Sequence, residues 1–317
     1  MEINKYKDNV LTISIETGDW SKNLEYNNYK TLIQKFEELD KAWFHDTLFV
    51  IAWSDDPAGL SPMDLTSYSS FKRKILIYVG EEHGYGIPEE LSNKFDYIFK
   101  NYLRKEDPDN HLYSYPLVTP DAVPDTNVVP FNERKYNVFY SGNLNKYRLK
   151  IMCALNAHAK LFDKIFSSMV DIKGGSRLFN MIYKGKTYNL DDTFPNSIIR
   201  FNNGFNTGFD KKTYAEITSN SKIILSPKGF YSPECFRLYE ALRRGCVVIT
   251  EPLPKVPFYE GIPAIGIANW ADVIRVVNEL LNDETKMDDL SAKSIQFYNR
   301  HLSLNSIAEY IYKRSSK

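Results

Sequence analysis

The chain reads as an α/β protein made of two Rossmann-like domains, each a mostly parallel sheet covered by helices. Three observations predict this. The 317 residues exceed what one ordinary domain of roughly 100–200 residues needs. Short apolar runs alternate with segments of helical spacing, the pattern of strand–helix–strand units. The stretch TPDAVPDTNVVPFNE at 119–133 is rich in Pro and acidic residues, keeps no period, and reads as a linker. We place the first domain at 1–128 and the second at 129–317.

In the first half, apolar runs at 10–15, 48–53 and 74–79 read as strands, with a shorter one at 97–99. Between the first two, residues 29–39 place Leu32, Ile33, Phe36 and Leu39 at helical spacing. The loops after the first three strands, ETGDW, SDDPAGLSP and GEEHGYGIP, are rich in Gly, Asp, Pro and charge. In open α/β sheets, loops at the carboxyl ends of the strands build the binding crevice. The second half opens with a strand at 136–140 and a helix at 146–162. After an irregular middle come helix 212–219, strand 222–225, helix 233–244, strand 246–250, short strand 264–267 and helix 270–281. Two more helical patterns, at 284–300 and 303–313, close the chain. There is no internal repeat and no low-complexity tract.

Hydrophobic residues at 43% and charged residues at 25% exclude a disordered chain. The 22 Tyr and 19 Phe suit pockets for sugars or bases, although an AT-rich genome gives the same bias. Forty basic and forty acidic residues cancel, whereas duplex-binding domains show a basic excess, so no nucleic-acid partner is expected. Cys153, Cys235 and Cys246 form no CxxC pair, which favours a reducing compartment. Apolar stretches of signal-peptide or membrane-span length are absent. A cytoplasmic location is therefore expected, and peripheral association with a membrane is compatible with it. No Walker A motif, no GxGxxG after a strand and no GxSxG is present, leaving ATP, NAD and serine-hydrolase chemistry without support. Asp107–Pro108–Asp109 matches a D-x-D pattern but follows the charged NYLRKE and reads as a turn. The helix at 146–162 packs His158, and His45, His111 and His301 lack companions at ligand spacing, so no metal and no cofactor is expected.

Residues 219–261 (SNSKIILSPKGFYSPECFRLYEALRRGCVVITEPLPKVPFYEG) carry the functional argument. KIIL is a buried strand, and SPKG a turn at its carboxyl end. Ser232 as N-cap, Pro233 at the first helical position and Glu234 in the first turn predict a helix start. Gly245 predicts its stop, and CVVIT is the next buried strand. A helix N-terminus offers unpaired N–H groups to a diphosphate. Arg237 and Lys228 add cationic contacts to the same group. Glu240, three residues beyond Arg237, falls on nearly the same helix face and suits the two hydroxyls of a ribose.

This segment resembles the C-terminal half of exostosin-like glycosyltransferases, through SKIILSPKG, then FRLYEAL, then GCVVI. In that family a Ser stands before the Arg-Leu pair, where this chain has Cys235, preceded by Pro-Glu. FYSGNLNKYR, a strand followed by Gly142, Asn143 and then Arg148, fits the same family. The similarity spans about residues 135–265. It implies an enzyme of the GT-B type, two Rossmann-like domains facing a central cleft, with the last helix crossing back to the first domain. It implies a nucleotide-sugar donor, commonly a UDP-sugar, held in the second domain by Gly142, Asn143, Arg148, Ser226, Lys228, Glu234, Arg237 and Glu240. It also implies a glycan or glycolipid acceptor on the first domain, inversion at the anomeric carbon, and a place in surface polysaccharide or glycan biosynthesis. A looser match to fucosyltransferases keeps a GDP-sugar donor as an alternative. A non-catalytic nucleotide-sugar-binding or assembly subunit on the same fold is another.

An inverting transfer needs a base for the acceptor hydroxyl. The GEEHG loop concentrates Glu81, Glu82 and His83 after the third strand. Glu82 and His83 are the favoured candidates, with Asp19, in the loop after the first strand, competing. A solvated charged loop is the plainer interpretation of the same residues.

Overall fold

The computed structural model describes residues 3–15, 25–118, 128–156, 175–183, 185–204 and 207–316. The chain is an α/β protein of two Rossmann-like units, each with a six-stranded sheet. Unit 1 gathers Met1–Asp121, Pro254–Gly261 and Asn299–Lys317; unit 2 gathers Ala122–Leu253 and Ile262–Tyr298. Among the described residues, no helix is long and apolar enough to cross a membrane.

Unit 1 contains β1 (Ile3–Lys7), β2 (Val10–Ser14), β3 (Thr47–Trp53), β4 (Arg73–Val79), β5 (Tyr97–Lys100) and β6 (Leu112–Ser114), in that spatial order. All neighbours are parallel except β1 with β2. Alternation along the strands sends Phe49, Ile51, Ile75 and Ile77 to one core and Leu48, Val50, Leu76 and Tyr78 to another. Helix Tyr26–Leu39 covers the first core with Tyr29, Leu32, Ile33 and Phe36. The last helix, Leu304–Ser315, joins it there through Ile307, Ala308 and Ile311. The helical pattern at the chain's end thus does return to the first domain. Tyr312 fixes it by donating to Asp40 at 3.0 Å, and Arg314 lies between the rings of Tyr113 and Tyr310, 4.6 and 4.7 Å from their centres.

Unit 2 contains β7 (Tyr136–Asn143), β8 (Tyr188–Asn189), β9 (Ser197–Asn202), β10 (Ser221–Ser226), β11 (Val247–Thr250) and β12 (Ala264–Gly266). Their spatial order is β12-β11-β10-β7-β9-β8, with only β8 antiparallel. From β7 the chain steps to β9 on one side, then crosses back to β10 on the other. The carboxyl ends of β7 and β10 therefore flank a topological switch point, the place where open parallel sheets bind ligands. Among the described strands of unit 1, whose order is monotonic, there is no such reversal. One face of the second sheet (Val138, Tyr140, Ile199, Ile223, Leu225, Val247, Ile249) packs on helices Leu149–Leu155 and Val273–Leu281. On the opposite face Phe139 meets Tyr214 of helix Lys211–Ser219, ring centres 5.5 Å apart.

Helix Phe236–Arg243 follows β10 and corrects one sequence expectation. Its N-cap is Cys235, without a side-chain cap bond, so Ser232, Pro233 and Glu234 lie outside the helix. Ser232 is instead committed locally: its hydroxyl donates to Glu234 Oε2 at 2.8 Å and accepts from the Glu234 N–H at 3.2 Å. The predicted stop is present, with Gly245 at φ +65°, and a Cβ there would sit 2.8 Å from Ile295. The strand pair β8–β9 occupies the irregular middle, and β1 and β6 were not predicted. The second half of the helix expected at 146–162, including His158, lies outside the described residues, as does most of the linker.

Arg134 anchors the far end of the helix that carries Arg237 and Glu240. Buried, it donates to the carbonyls of Arg244 (2.6 Å) and Gly245 (2.9 Å) at that helix's C-terminus. It also reaches Ser221 (2.9 Å) at the start of β10 and Val129 (3.1 Å). Replacing it removes the donors of several carbonyls at once, each costing about 1–3 kcal/mol when left unpaired and buried. Arg134→Met is expected to lower the stability of unit 2 by about 3 kcal/mol or more. Denaturant unfolding checks this, and an unchanged midpoint would remove the anchoring role.

Candidate functional site

The switch point of unit 2 is built by three chain segments: the loop after β7, the turn after β10, and the first turn of helix Phe236–Arg243. Arg148 ties the first two together. Its Nε donates to the Lys228 carbonyl at 3.0 Å and its Nη1 to the Asn143 carbonyl at 2.9 Å. Asn145 adds to the tie, with its side-chain amide donating to Gly229 at 3.2 Å and its oxygen accepting the N–H groups of Tyr147 and Arg148. Glu251, after β11, accepts the Lys228 N–H at 2.9 Å and the Trp270 indole N–H at 2.6 Å. The Lys228 turn is thus held from both sides, and the Lys228 ammonium rests 5.1 Å from the Tyr147 ring centre.

Arg237 reaches into this crevice. Its Nη2 donates to the Ser141 carbonyl at 2.9 Å, and the guanidinium lies 4.9 Å from the Tyr140 ring centre. Gly142 makes the approach possible: a Cβ there would stand 2.6 Å from Arg237 Nη2 and 2.8 Å from the Tyr140 hydroxyl. Two polar groups in this cluster are buried with no partner among the described residues, the Tyr140 hydroxyl and Arg237 Nε. Buried polar groups are ordinarily paired, so the unpaired Nε–H of the Arg237 guanidinium and the neighbouring unpaired Tyr140 hydroxyl are donors suited to an oxyanion.

Glu240 sits one helical turn beyond Arg237 and is buried. It is hydrogen-bonded to the Tyr214 hydroxyl. Burial pushes its carboxyl up, an effect opposed by Arg244, the Tyr214 bond, Arg237 and Arg243. Burial also raises the Tyr214 hydroxyl well above its ordinary range, with Glu240 adding to the rise. Glu234 is buried and bonded to Ser232, and Ser226 Oγ lies 3.1 Å from Cys235 Sγ.

Next to the switch point, over the ends of β7 and β9, a cavity of about 390 Å³ is lined by Asn143, Asn145, Asn180, Asn202 and Asn203, by Lys146 and Lys186, and by Tyr147, Tyr183 and Phe230. Its described lining contains no carboxylate. Amides, ammonium groups and aromatic rings together suit an anionic or ring-bearing ligand.

Of the residues singled out in the sequence, Asn143 and Arg148 flank the loop after β7, Ser226 and Lys228 the turn after β10, and Arg237 lies in the first turn of the helix, while Gly142 lies within β7, Glu234 before the helix and Glu240 one turn further along it. Arg148 faces backbone carbonyls and acts on the site by holding its loops. Glu82 and His83 are half-buried in unit 1, where His83 stacks on Tyr85 at 4.9 Å and its carbonyl accepts from Arg104 at 2.8 Å. Asp19 lies outside the described residues. Asp107 caps a short turn and accepts the Asn110 amide at 2.8 Å. Among the described residues, no three His, Cys, Asp or Glu side chains gather in a metal-binding group. Tyr140, Tyr214 and Glu251 were not singled out; only Glu251, directly after the CVVIT strand, had a positional signal.

No known family pattern and no curated protein matches the chain. Among solved structures it is similar to a glycosyltransferase from Rickettsia africae, at 15% identity over 94% of this chain and 83% of that one, with a TM-score of 0.47. It is similar to Anabaena HepE in complex with UDP, at 11% identity over 90% and 81%, TM-score 0.44. A third is sucrose-phosphate synthase from Thermosynechococcus elongatus, at 13% identity over 92% and 78%, TM-score 0.43.

The raised Glu240 carboxyl has a pH consequence. Its folded-state pKa lies above the unfolded one, so its contribution to stability is complete below the ordinary carboxylate range and is lost as pH rises through the folded value. Glu240→Gln carries no such loss. Its stability relative to the parent is expected to increase from about pH 4 towards neutrality, as read by thermal melts across pH. A gap that stays constant or closes with rising pH would contradict the burial effect.

Proposed function

We propose that the chain is a glycosyltransferase of the GT-B type that moves a sugar from a nucleoside-diphosphate donor to a glycan or glycolipid acceptor. The observation that carries this is the unpaired Arg237 Nε at the switch point, beside Gly142 and one helical turn from the buried Glu240. The diphosphate sits against Arg237 and Lys228, whose positive charges stabilise it as it departs. Gly142 lets the Arg237 guanidinium lie close against the strand, and Arg148 holds the two loops at a fixed separation. Glu240, oriented by Tyr214, accepts the ribose hydroxyls. The resemblance of residues 135–265 to exostosin-like enzymes supports a UDP-sugar as donor and an inverting reaction without a metal. The base is drawn from Glu82, His83 and Asp19 of the first domain, and the product belongs to surface polysaccharide or glycan biosynthesis.

The ribose assignment separates two nucleotides that differ by one hydroxyl. UDP is expected to bind about tenfold more tightly than dUDP, the scale of one charged hydrogen bond. In Glu240→Gln this preference should shrink to about threefold or less, with both nucleotides weakened and UDP the more. Calorimetric titration checks both. Equal affinities for UDP and dUDP in the parent chain would remove Glu240 from the ribose.

A further inference from the structure

The cavity of about 390 Å³ over the ends of β7 and β9 takes no part in the function proposed above. It lies wholly in unit 2, lined by residues of the loop after β7, the end of β9, helix Gly175–Tyr183 and the turn after β10. Its size is that of a pocket for a small ligand. One wall is shared with the crevice: Tyr147 lines the cavity, and its ring carries the Lys228 ammonium at 5.1 Å. Glu240 and Tyr214 contribute nothing to the described lining. A donor with its diphosphate at Lys228 and Arg237 and its ribose at Glu240 therefore has its ribose at a wall that the cavity does not share. The part that lies across the diphosphate from the ribose is the sugar.

The lining is positively charged. Lys146 and Lys186 bring two ammonium groups, and no carboxylate stands among the described lining residues. Lys146 rests over the Tyr147 ring at 4.8 Å, and among the described residues neither lysine has an ion-pair partner. Burial pushes the Tyr183 hydroxyl up to about 12, so it stays neutral and adds no negative charge. Asn202, buried at the end of β9, commits its Nδ2 to Ser141 Oγ at 3.1 Å, which fixes that amide at the cavity wall. Tyr147, Tyr183 and Phe230 add ring surface of the kind that sugar carbons pack on. A neutral hexose offers hydroxyls, which amides satisfy in both directions, but it leaves two ammonium groups facing an uncharged ligand. A nucleobase does the same. A sugar with a carboxylate matches the amides through its hydroxyls and the ammonium groups through its charge, and hydrogen bonds between charged groups are about twice as strong as neutral ones.

We propose that the sugar transferred is a hexuronate, seated in this cavity with its carboxylate on Lys146 and Lys186. This rests on the glycosyltransferase reading, which sets the diphosphate beside the cavity. In the transfer the acceptor oxygen bonds the anomeric carbon as the bond from that carbon to the diphosphate breaks. The electron pair of the broken bond leaves with the nucleoside diphosphate, and the acceptor's proton goes to the base. The carboxylate stays unreacted and serves to select the sugar.

Calorimetry on the full chain compares UDP, UDP-glucose, UDP-glucuronate, UDP-galactose and UDP-galacturonate. At least one uronate is expected to bind about tenfold more tightly than its neutral counterpart. In Lys146→Met and Lys186→Met that preference should fall to about threefold or less. Lys146→Arg should keep it, and UDP alone should bind each variant as it binds the parent. Neutral and acidic sugars bound alike, or a preference that survives both changes to Met, would overturn the proposal. Loss of UDP binding in a lysine variant whose thermal melting is unchanged would assign that lysine to the diphosphate and overturn it as well. If the parent chain binds no UDP, the donor reading fails by itself. The cavity is then read by ligand-observed magnetic resonance with methyl glucuronide and methyl glucoside. A lysine-dependent preference for the acid would leave the cavity's selectivity standing, and no preference would remove it.

Discussion

The guanidinium of Arg148 is the constraint on which the site in unit 2 depends. By donating to Asn143 on one side of the switch point and Lys228 on the other, it converts two independent loops into one crevice of set width. The remaining parts are placed relative to that width. Arg237 reaches the Ser141 carbonyl near the end of β7, beside the loop that Arg148 holds. Lys228 presents its ammonium beside Tyr147 because its own backbone is held by Arg148 and Glu251. Loop carbonyls that would otherwise turn to water are satisfied inside the protein, and a pre-set crevice lowers the ordering cost of binding.

The two units use the same α/β vocabulary to different ends. Unit 2 reverses its strand order beside β7 and gains a crevice at the reversal. Unit 1 keeps its strands in sequence order and places its polar chemistry under the loop after β4, where an ion pair is fully buried. Breaking such a pair would strand a charge in the interior, a far larger cost than that of an exposed pair. The exposed pairs of this protein, such as Arg275 with Glu279, are worth little by comparison.

Much of the fold was legible because the strands of both sheets are short, apolar and bounded by turn residues, and because Leu32, Ile33 and Phe36 mark a helical face. Strands β1 and β6 escaped because INKYK is polar and LYS is three residues long; their pairing comes from neighbours, not from their own pattern. Strand β9 was hidden because Arg200 interrupts its apolar run, and that residue is accommodated by Asp191 at 3.5 Å and the Phe209 ring at 4.6 Å. Lys228 and Arg237, which flank the switch point, stand in SPKG and FRLYEAL. The start of the helix that bears Arg237 was not legible, since Ser232 turned its hydroxyl to Glu234 instead of capping. Strand order, and with it the switch point, depends on pairing between distant segments. The unpaired Tyr140 hydroxyl and Arg237 Nε beside Gly142 depend on it too, and no local pattern announces them.

The central claim is that a nucleoside diphosphate occupies the switch point between β7 and β10. Amide hydrogen exchange with and without UDP tests it most directly. Protection should rise in the segments Ser141–Arg148 and Ser226–Glu240, while exchange in β2 to β6 stays as it was. Protection confined to other segments, or no change at saturating UDP, would contradict the account.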